Sequence, residues 1–486
     1  VLSLSEKLGG WKIGTYGERE KNDRFAGEVD SLQANSFYYD LYRVYLQSPD
    51  AAQFGLGANY TRRFDYAPVG QRFLNNTIAE EFNVNGKLLR KRHSRLNWNF
   101  TYRQLEIIDE DLTNQQAQET YLGRVDYNLN LWKGALRFNN TYEIGSGQEP
   151  RLEFNYLQVN AGEGVYTWID RNRDSIQQLN EFEIAPFQDQ ADYIRVSIIT
   201  NEFIRTNNVQ LNQSLRINPK AIWFKEEGLK KMLSKFSTQS TLKIIRRARD
   251  AEGVSPWNPF QLSIADTSLV SVSSNIRNSL FFNRADPKYD FQLGQFDNRS
   301  RVVLTTGFES RRSAEQFVRG RWNINKALST QLYAANGQRD NDSEFFNDRD
   351  YQIRYFKLEP QLTWLPVKSF RAVLSYEFQD SENIQIENGE TAINHNFNIE
   401  ATYNQTTKTS IRARFSFVNI DYTGARNTPV EFAMLEGLQN GRNFLWNLSF
   451  DRLLANNIQL GISYEGRKTG EARVVHVGRA QVRATF

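Results

Sequence analysis

The sequence predicts an all-β fold, an antiparallel transmembrane β-barrel of about 22 strands within a range of about 18 to 24. Three observations predict it. Apolar and polar residues alternate with period two in segment after segment. The chain is rich in aromatics, with 33 Phe, 22 Tyr and 9 Trp, although only 40% of it is apolar. Short joins alternate with long polar links, as turns and loops do at the two ends of a barrel.

The alternation is clearest in residues 95–103, where Leu96, Trp98, Phe100 and Tyr102 interleave with Arg95, Asn97, Asn99, Thr101 and Arg103. Successive strand side chains point to opposite faces, so one face is aromatic and aliphatic and the other polar. Residues 121–131 repeat the pattern with Tyr121, Val125, Tyr127, Leu129 and Leu131. So do Ile393, Phe397, Ile399, Ala401 and Tyr403, then Ile411, Ala413, Phe415 and Phe417 against Arg412, Arg414 and Ser416. Phe444, Trp446, Leu448 and Phe450 face one way, and Ile458, Leu460, Ile462 and Tyr464 close the series before the last strand. Such segments run about nine to eleven residues, enough for a tilted strand to cross the hydrocarbon layer. A soluble antiparallel sandwich also alternates. The aromatic share of the apolar face and the Arg and Asn rows opposite it favour a barrel with a wet or plugged lumen.

Short joins are expected near Asn325-Lys326, Pro366-Val367, Thr406-Thr407 and Ala455-Asn456, with long links at 338–349, 379–391 and 421–440. One short basic helix is expected near 222–234, on the side of the short joins. Strand parity between that helix and residue 312 comes out wrong by one. In the last strand Val474, Gly478, Ala480, Val482, Ala484 and Phe486 share a face, with Arg479, Gln481, Arg483 and Thr485 on the other. An amphipathic final strand with an aromatic end resembles the signal by which outer-membrane barrels are recognised for insertion.

Composition excludes other classes. A chain of 486 residues exceeds one ordinary globular core, so it is several domains or one large single-layer structure; the reading here is a single domain over 1–486 with a loop insertion at 161–191. No uncharged apolar run is long enough for a membrane-spanning helix. Charge is nearly balanced, 60 basic against 56 acidic residues, which argues against nucleic acid as a partner. There is no Cys, and the three His residues, His93, His395 and His476, each fall in a strand-like pattern, so a His-based zinc site is not expected. No secretory signal precedes Val1, and the absence of an initiator Met suggests a mature or trimmed chain.

Several stretches resemble the barrel portion of large, poorly characterised outer-membrane proteins of Bacteroidetes-type bacteria. They are Gly162 to Asp170, Asn180-Glu181-Phe182-Glu183, Tyr193-Ile194-Arg195-Val196, Asn212 to Pro219, Asn275 to Phe282 and Gly307 to Arg311. The resemblance implies an outer-membrane location and a barrel architecture, and little about activity.

One constellation has ligand chemistry. Counting Asp170 as position 1, oxygen ligands fall at 1 (Asp170), 3 (Asn172), 5 (Asp174), 7 (the Ile176 carbonyl), 9 (Gln178) and 12 (Glu181). That is the spacing of an EF-hand-type loop around Ca²⁺. Ser175 stands at position 6 where Gly is usual, and Arg171 and Arg173 dilute the negative charge; the alternative reading is a solvated acidic loop. A structural role is expected, because no flanking helix pair is evident. Glu143, Asp189, Asp192 and Glu202 have nothing to bring them together. His93 and Ser94, adjacent on a strand, point to opposite faces and make no dyad, and no other catalytic motif stands out, so no enzyme activity is expected. Arg412, Arg414, Arg479 and Arg483 are expected to line the lumen and pair with acids, with a selectivity filter as the functional alternative.

The function expected is transport: a pore, translocon component or uptake channel with a calcium-stabilised loop. The alternative is a structural barrel that anchors surface-exposed binding loops or domains. Expected partners are outer-membrane lipid, the barrel-insertion machinery through the C-terminal strand, and other envelope proteins. A TonB-dependent transporter fits the strand count; the chain lacks a plug-like segment before residue 35, but trimming could have removed one, so that subtype stays open.

Overall fold

Period-two alternation makes strands because β-branched and aromatic side chains pack well on a pleated surface. In the computed structural model the described residues are all except 26–30, 50–52, 91–92, 114, 263–267, 285, 305–306, 345, 387–388, 406–407, 455–457 and 485–486. One sheet holds 23 strands, within the expected range, and every described pair runs antiparallel. Its first part is β1 (Leu2–Leu8), β2 (Trp11–Asn22), β3 (Phe37–Gln47), β4 (Phe54–Val69), β5 (Arg72–Arg90), β6 (Ser94–Ile107), β7 (Gln118–Leu131) and β8 (Leu136–Gln158), each paired with the next. Two three-residue strands, β9 (Tyr166–Trp168) and β10 (Phe182–Ile184), lie in the link to β11 (Tyr193–Ile217), which pairs back onto β8. Helices α1 (Lys220–Trp223) and α2 (Leu229–Leu233) follow.

The meander then runs β12 (Phe236–Arg249), β13 (Leu269–Phe282), β14 (Tyr289–Leu304), β15 (Gly307–Asn323), β16 (Leu328–Ser343), β17 (Tyr351–Val367), β18 (Phe370–Asn383), β19 (Thr391–Gln405) and β20 (Thr409–Thr423). Helix α3 (Pro429–Leu435) precedes β21 (Gly441–Leu453), β22 (Ile458–Thr469) and β23 (Val475–Ala484). The residues fall into two compact units, the first 1–150, 202–222 and 240–273, the second 151–201, 223–239 and 274–486.

In the first unit the polar face is a side-chain ladder. The Asn83 amide donates to Asn99 Oδ1 and Thr101 Oγ1, both at 2.7 Å, and Arg124 bridges Glu143 and Asp126, also at 2.7 Å. On the other face Phe82 and Phe100 stand exposed. The fully buried Arg246 pins the loop after β12, donating to the carbonyls of Ser255 and Gln261, while Trp257 stacks on Tyr121 at 4.8 Å.

In the second unit the polar face carries Arg312–Asp297 at 2.8 Å, Lys357–Glu377 at 3.0 Å and Arg414–Glu400 at 2.5 Å. The opposite face leaves Phe397, Ile399, Phe415 and Leu448 exposed. Trp446 lies flat over Gly466, where an added Cβ would sit 2.1 Å from the indole, so the groove for this ring exists only because Gly466 has no side chain. The apolar core sits on the polar side. Val418, Ile420 and Tyr422 share the face of Arg412, Arg414 and Ser416, and with Ile353 and Ala392 they bury Val430, Met434 and Leu435 of α3.

Several expectations change. The strands outrun the nine to eleven residues a membrane needs, β15 and β17 reaching 17 each. The long links therefore shrink to 344–350, 384–390 and 424–440, because the polar residues given to loops continue the ladders: Gln338 bonds Asp340, and Asn341 bonds the Arg349 carbonyl. The single helix near 222–234 is two short ones separated by residues 224–228, with Gly228 at a positive φ of 64° immediately before α2. The parity problem disappears. Leu304 pairs with Gly307 in a hairpin too tight to read from sequence, so β14 and β15 are two strands, and the helices lie at the strand ends that carry the short joins. Asn325-Lys326 is such a join, and Pro366-Val367 closes β17 next to another. Thr406-Thr407, Ala455-Asn456, Thr485 and Phe486 lie outside the described residues. In β23, Ala480, Val482 and Ala484 continue the apolar face of Ile462, Leu460 and Ile458 by direct pairing.

Candidate functional site

The insertion expected at 161–191 is the link between β8 and β11. Backbone bonds fold it onto its own base: Val165 N–H donates to the Tyr193 carbonyl at 2.8 Å, and Ile169 N–H to that of Glu181 at 2.9 Å. Phe182, buried, stacks on Tyr156 at 4.0 Å and meets Tyr193 edge-on at 5.0 Å. Trp168 and Phe182 are opposite each other in the β9–β10 pair.

Charge then ties the insertion to the polar face of the second unit. Asp189 takes a two-pronged bond from Arg467 of β22, 2.6 and 2.7 Å, and the same guanidinium lies 4.2 Å from the Phe187 ring centroid. Glu183 is 3.1 Å from Arg171 and 3.7 Å from Arg349, and Arg349, almost wholly buried, is also 3.7 Å from Glu309. Arg171 and Asn427 exchange two side chain–carbonyl bonds of 3.3 Å. Pro186 packs on Gly437, whose φ of +76° and lack of a side chain are both required there. The Arg467 hydrogen bonds hold the Asp189 carboxyl below its ordinary range. Burial lowers the Arg171 pKa, and Glu183 works against that shift.

Beneath Phe187 a cavity of about 440 Å³ opens on the polar face, lined by Arg412, Arg414, Ser416, Asn447, Glu465 and Arg467. Arg414 is paired with Glu400, and Arg412 is exposed with no ion-pair partner among the described residues. These arginines stand where the alternation put them. The arrangement suits holding a polar or charged solute. Away from this cavity, on the apolar face, the Tyr376 and Tyr464 hydroxyls lie 2.7 and 2.8 Å from Nδ1 of His395 and His476.

The six oxygen-ligand positions form a turn. Asn172 Oδ1 accepts from Asp174 N–H at 3.0 Å, Asp174 Oδ1 from Ile176 N–H at 2.7 Å, and Asp170 Oδ2 from Ser175 N–H at 3.1 Å. Ser175 adopts a φ of 59°, the sharp-turn conformation that Gly normally supplies. Asp170 Oδ1 is buried without a partner. The Asp174 carboxylate meets amide donors from Asn172 and Gln178, both at 2.8 Å. The buried Glu181 accepts from the Trp168 indole at 2.8 Å and from Arg171 N–H at 3.1 Å, and Ile176 is exposed. Among the described residues no three acidic or His side chains gather as a metal cluster. Of the loose carboxylates, Glu143 pairs with Arg124 and Asp189 with Arg467.

Sequence reasoning missed three parts of this site: α3, the Asp189–Arg467 clasp, and the role of Phe187. Only α3 had a local signal, Thr428-Pro429-Val430-Glu431, in which the Thr428 hydroxyl caps Glu431 N–H at 3.1 Å and Pro takes the first helical position.

No protein-family model matches the sequence, and no curated protein does. Solved structures do align over nearly the whole chain. The siderophore receptor PirA from Pseudomonas aeruginosa is 7% identical, aligned over 99% of this chain and 74% of its own, with a TM-score of 0.41. The FrpB iron transporter from Neisseria meningitidis (F3-3 variant) is 9% identical over 99% and 78%, with a TM-score of 0.39. BauA, the ferric preacinetobactin receptor from Acinetobacter baumannii, is 8% identical over 99% and 76%, with a TM-score of 0.37.

Proposed function

We propose that the chain is an outer-membrane β-barrel of the transport class, whose polar face lines a lumen narrowed by the 159–192 insertion and by α3. The observation that supports it is the contrast between the faces. One leaves Phe397 46%, Ile399 54% and Leu448 45% exposed, and the other bears ion-pair ladders and an arginine-lined cavity. A soluble sheet covers such an apolar face; lipid is the solvent that tolerates it. The purified chain should need detergent, run as a heat-modifiable compact species, and form channels in planar bilayers whose conductance rises when Arg467→Ala frees the insertion. An anchoring barrel would insert equally well but show no conductance change. A detergent-free soluble monomer would end both readings.

The C-terminal strand is read as the handle for the insertion machinery. Breaking its apolar face with Val482→Asp should lower the amount of protein reaching the outer membrane severalfold. Unchanged surface levels would show that this strand is no signal.

The Asp170–Glu181 turn is read as a structural Ca²⁺ loop. The unpartnered Asp170 Oδ1 and the Ser175 backbone favour it, with Asn172, Asp174, the Ile176 carbonyl, Gln178 and Glu181 as the remaining ligands. Calcium should protect residues 162–190 from proteolysis, Asp170→Ala with Glu181→Ala should abolish that protection, and Ser175→Gly should strengthen it. Equal protection in excess chelator would overturn this reading.

A further inference from the structure

On the apolar face of the second unit β14, β15 and β16 form a groove of about 540 Å³. Its floor is small, Gly320 and Ala334, and its walls are Phe291, Trp322 and Leu332, brought level by the register Phe291↔Gly320, Gly320↔Leu332 and Val318↔Ala334. From Val318 to Trp322 it runs about 13 Å at roughly 3.3 Å per residue. The groove opens at the strand ends that carry the short joins, since Tyr289 begins β14 and Trp322 nearly ends β15.

At that mouth the surface turns basic. A row of rings, Phe236–Phe282–Tyr289–Phe291, with centroids 4.9, 6.4 and 6.2 Å apart, leads out of the groove to Lys235, whose ammonium lies 6.0 Å from the Phe282 centroid. Lys288, Lys326, Lys368 and Lys408 stand exposed in or beside the joins at this end. The links at the opposite end lean acidic, with Glu344, Asp348 and Asp350 against Arg349 in 344–350. An open apolar groove whose mouth carries lysines suits an amphiphile with an apolar tail and an anionic head.

We propose that this groove binds an anionic phospholipid, one acyl chain along Gly320 and Ala334 and the phosphate at Lys235, an inference that rests on the barrel reading above. Aromatic rings at the interface and lysines within reach of the headgroup are the elements such recognition needs. Zwitterionic lipid fills the channel equally well but gains nothing from the lysines.

The test uses the full chain in phosphatidylcholine vesicles and measures the Trp322 fluorescence, taken as the difference from a Trp322→Phe protein, as brominated phosphatidylglycerol or brominated phosphatidylcholine is added. The anionic lipid should quench at a roughly tenfold lower mole fraction. Ala334→Phe, which fills the groove, should abolish the quenching advantage. Lys235→Glu, at an exposed position that leaves the fold intact, should reduce it to near parity. Equal quenching by the two lipids in the unaltered protein overturns the proposal, as does an advantage untouched by Ala334→Phe and Lys235→Glu. A doubled mass in detergent with no lipid preference assigns the groove to a second copy and equally overturns it. A protein that enters vesicles without preference sinks the groove alone, whereas one that never enters them sinks the barrel reading as well.

Discussion

Trp446→Arg is expected to destabilise the inserted protein by roughly 2–4 kcal/mol, while Asn447→Arg, one residue on, changes it little. Trp446 sits near the middle of β21 on the apolar face, where an arginine must leave its charge in hydrocarbon or bend the strand to reach water. The same substitution also empties the seat over Gly466. Asn447 stands on the other face between Arg414 and Glu465, a polar neighbourhood that can solvate a guanidinium. Urea titration of the vesicle-inserted variants, followed by the heat-modifiable gel shift, separates the two. Equal losses would mean that the faces are not lipid and lumen.

Arg467→Ala is expected to open the insertion at a cost of roughly 2–3 kcal/mol. Removing one partner of a fully buried pair costs more, but the Asp189 side chain is 24% exposed and water screens part of the loss. Arg467 is a particular loss because it also holds Phe187 over the cavity. Proteolysis between residues 162 and 190 should accelerate, and the exchanged pair Arg467→Asp with Asp189→Arg should recover most of the protection. Acid should act in the same direction. The Asp189 carboxyl is held below its ordinary value in the folded state, so its contribution is complete above about pH 4 and is lost as pH falls through the depressed value. Asp189→Asn should open the insertion at neutral pH and leave this part of the acid response flat. Protection that is unchanged in Arg467→Ala would show that the clasp does not hold the insertion.

The strands were legible because their signal is local. Leu96, Trp98 and Phe100, or Ile411, Ala413 and Phe415, state a period of two within a few residues, and the antiparallel order follows from the turns. Strand ends were not legible, because towards them both faces turn polar and a ladder such as Gln338–Asp340 looks like a loop. The hairpin at Leu304 and Gly307 escaped for a related reason: it adds almost no residues to mark it. The link between β8 and β11 stood out in the sequence by its length, yet what ties it down was not visible. Asp189 and Arg467 are 278 residues apart, and no period connects them. A bound ion was the stabiliser the sequence offered; what the structure shows is ion pairs, aromatic stacking and the Pro186–Gly437 contact. Val418, Ile420 and Tyr422 gave a hint that went unused: three apolar residues on a face otherwise polar call for a covering element, and α3 is it.

The chain has no cysteine, so thiol chemistry can address the two faces of a strand one position at a time. Single cysteines placed one at a time from residue 446 to 451, beyond the part of β21 that α3 covers, in protein reconstituted into vesicles, would be scored for reaction with a membrane-impermeant thiol reagent and for labelling by a lipid-phase probe. Strict alternation is expected: positions 447, 449 and 451 react from water, and 446, 448 and 450 only from lipid. Uniform reactivity with the aqueous reagent along the whole segment would contradict it.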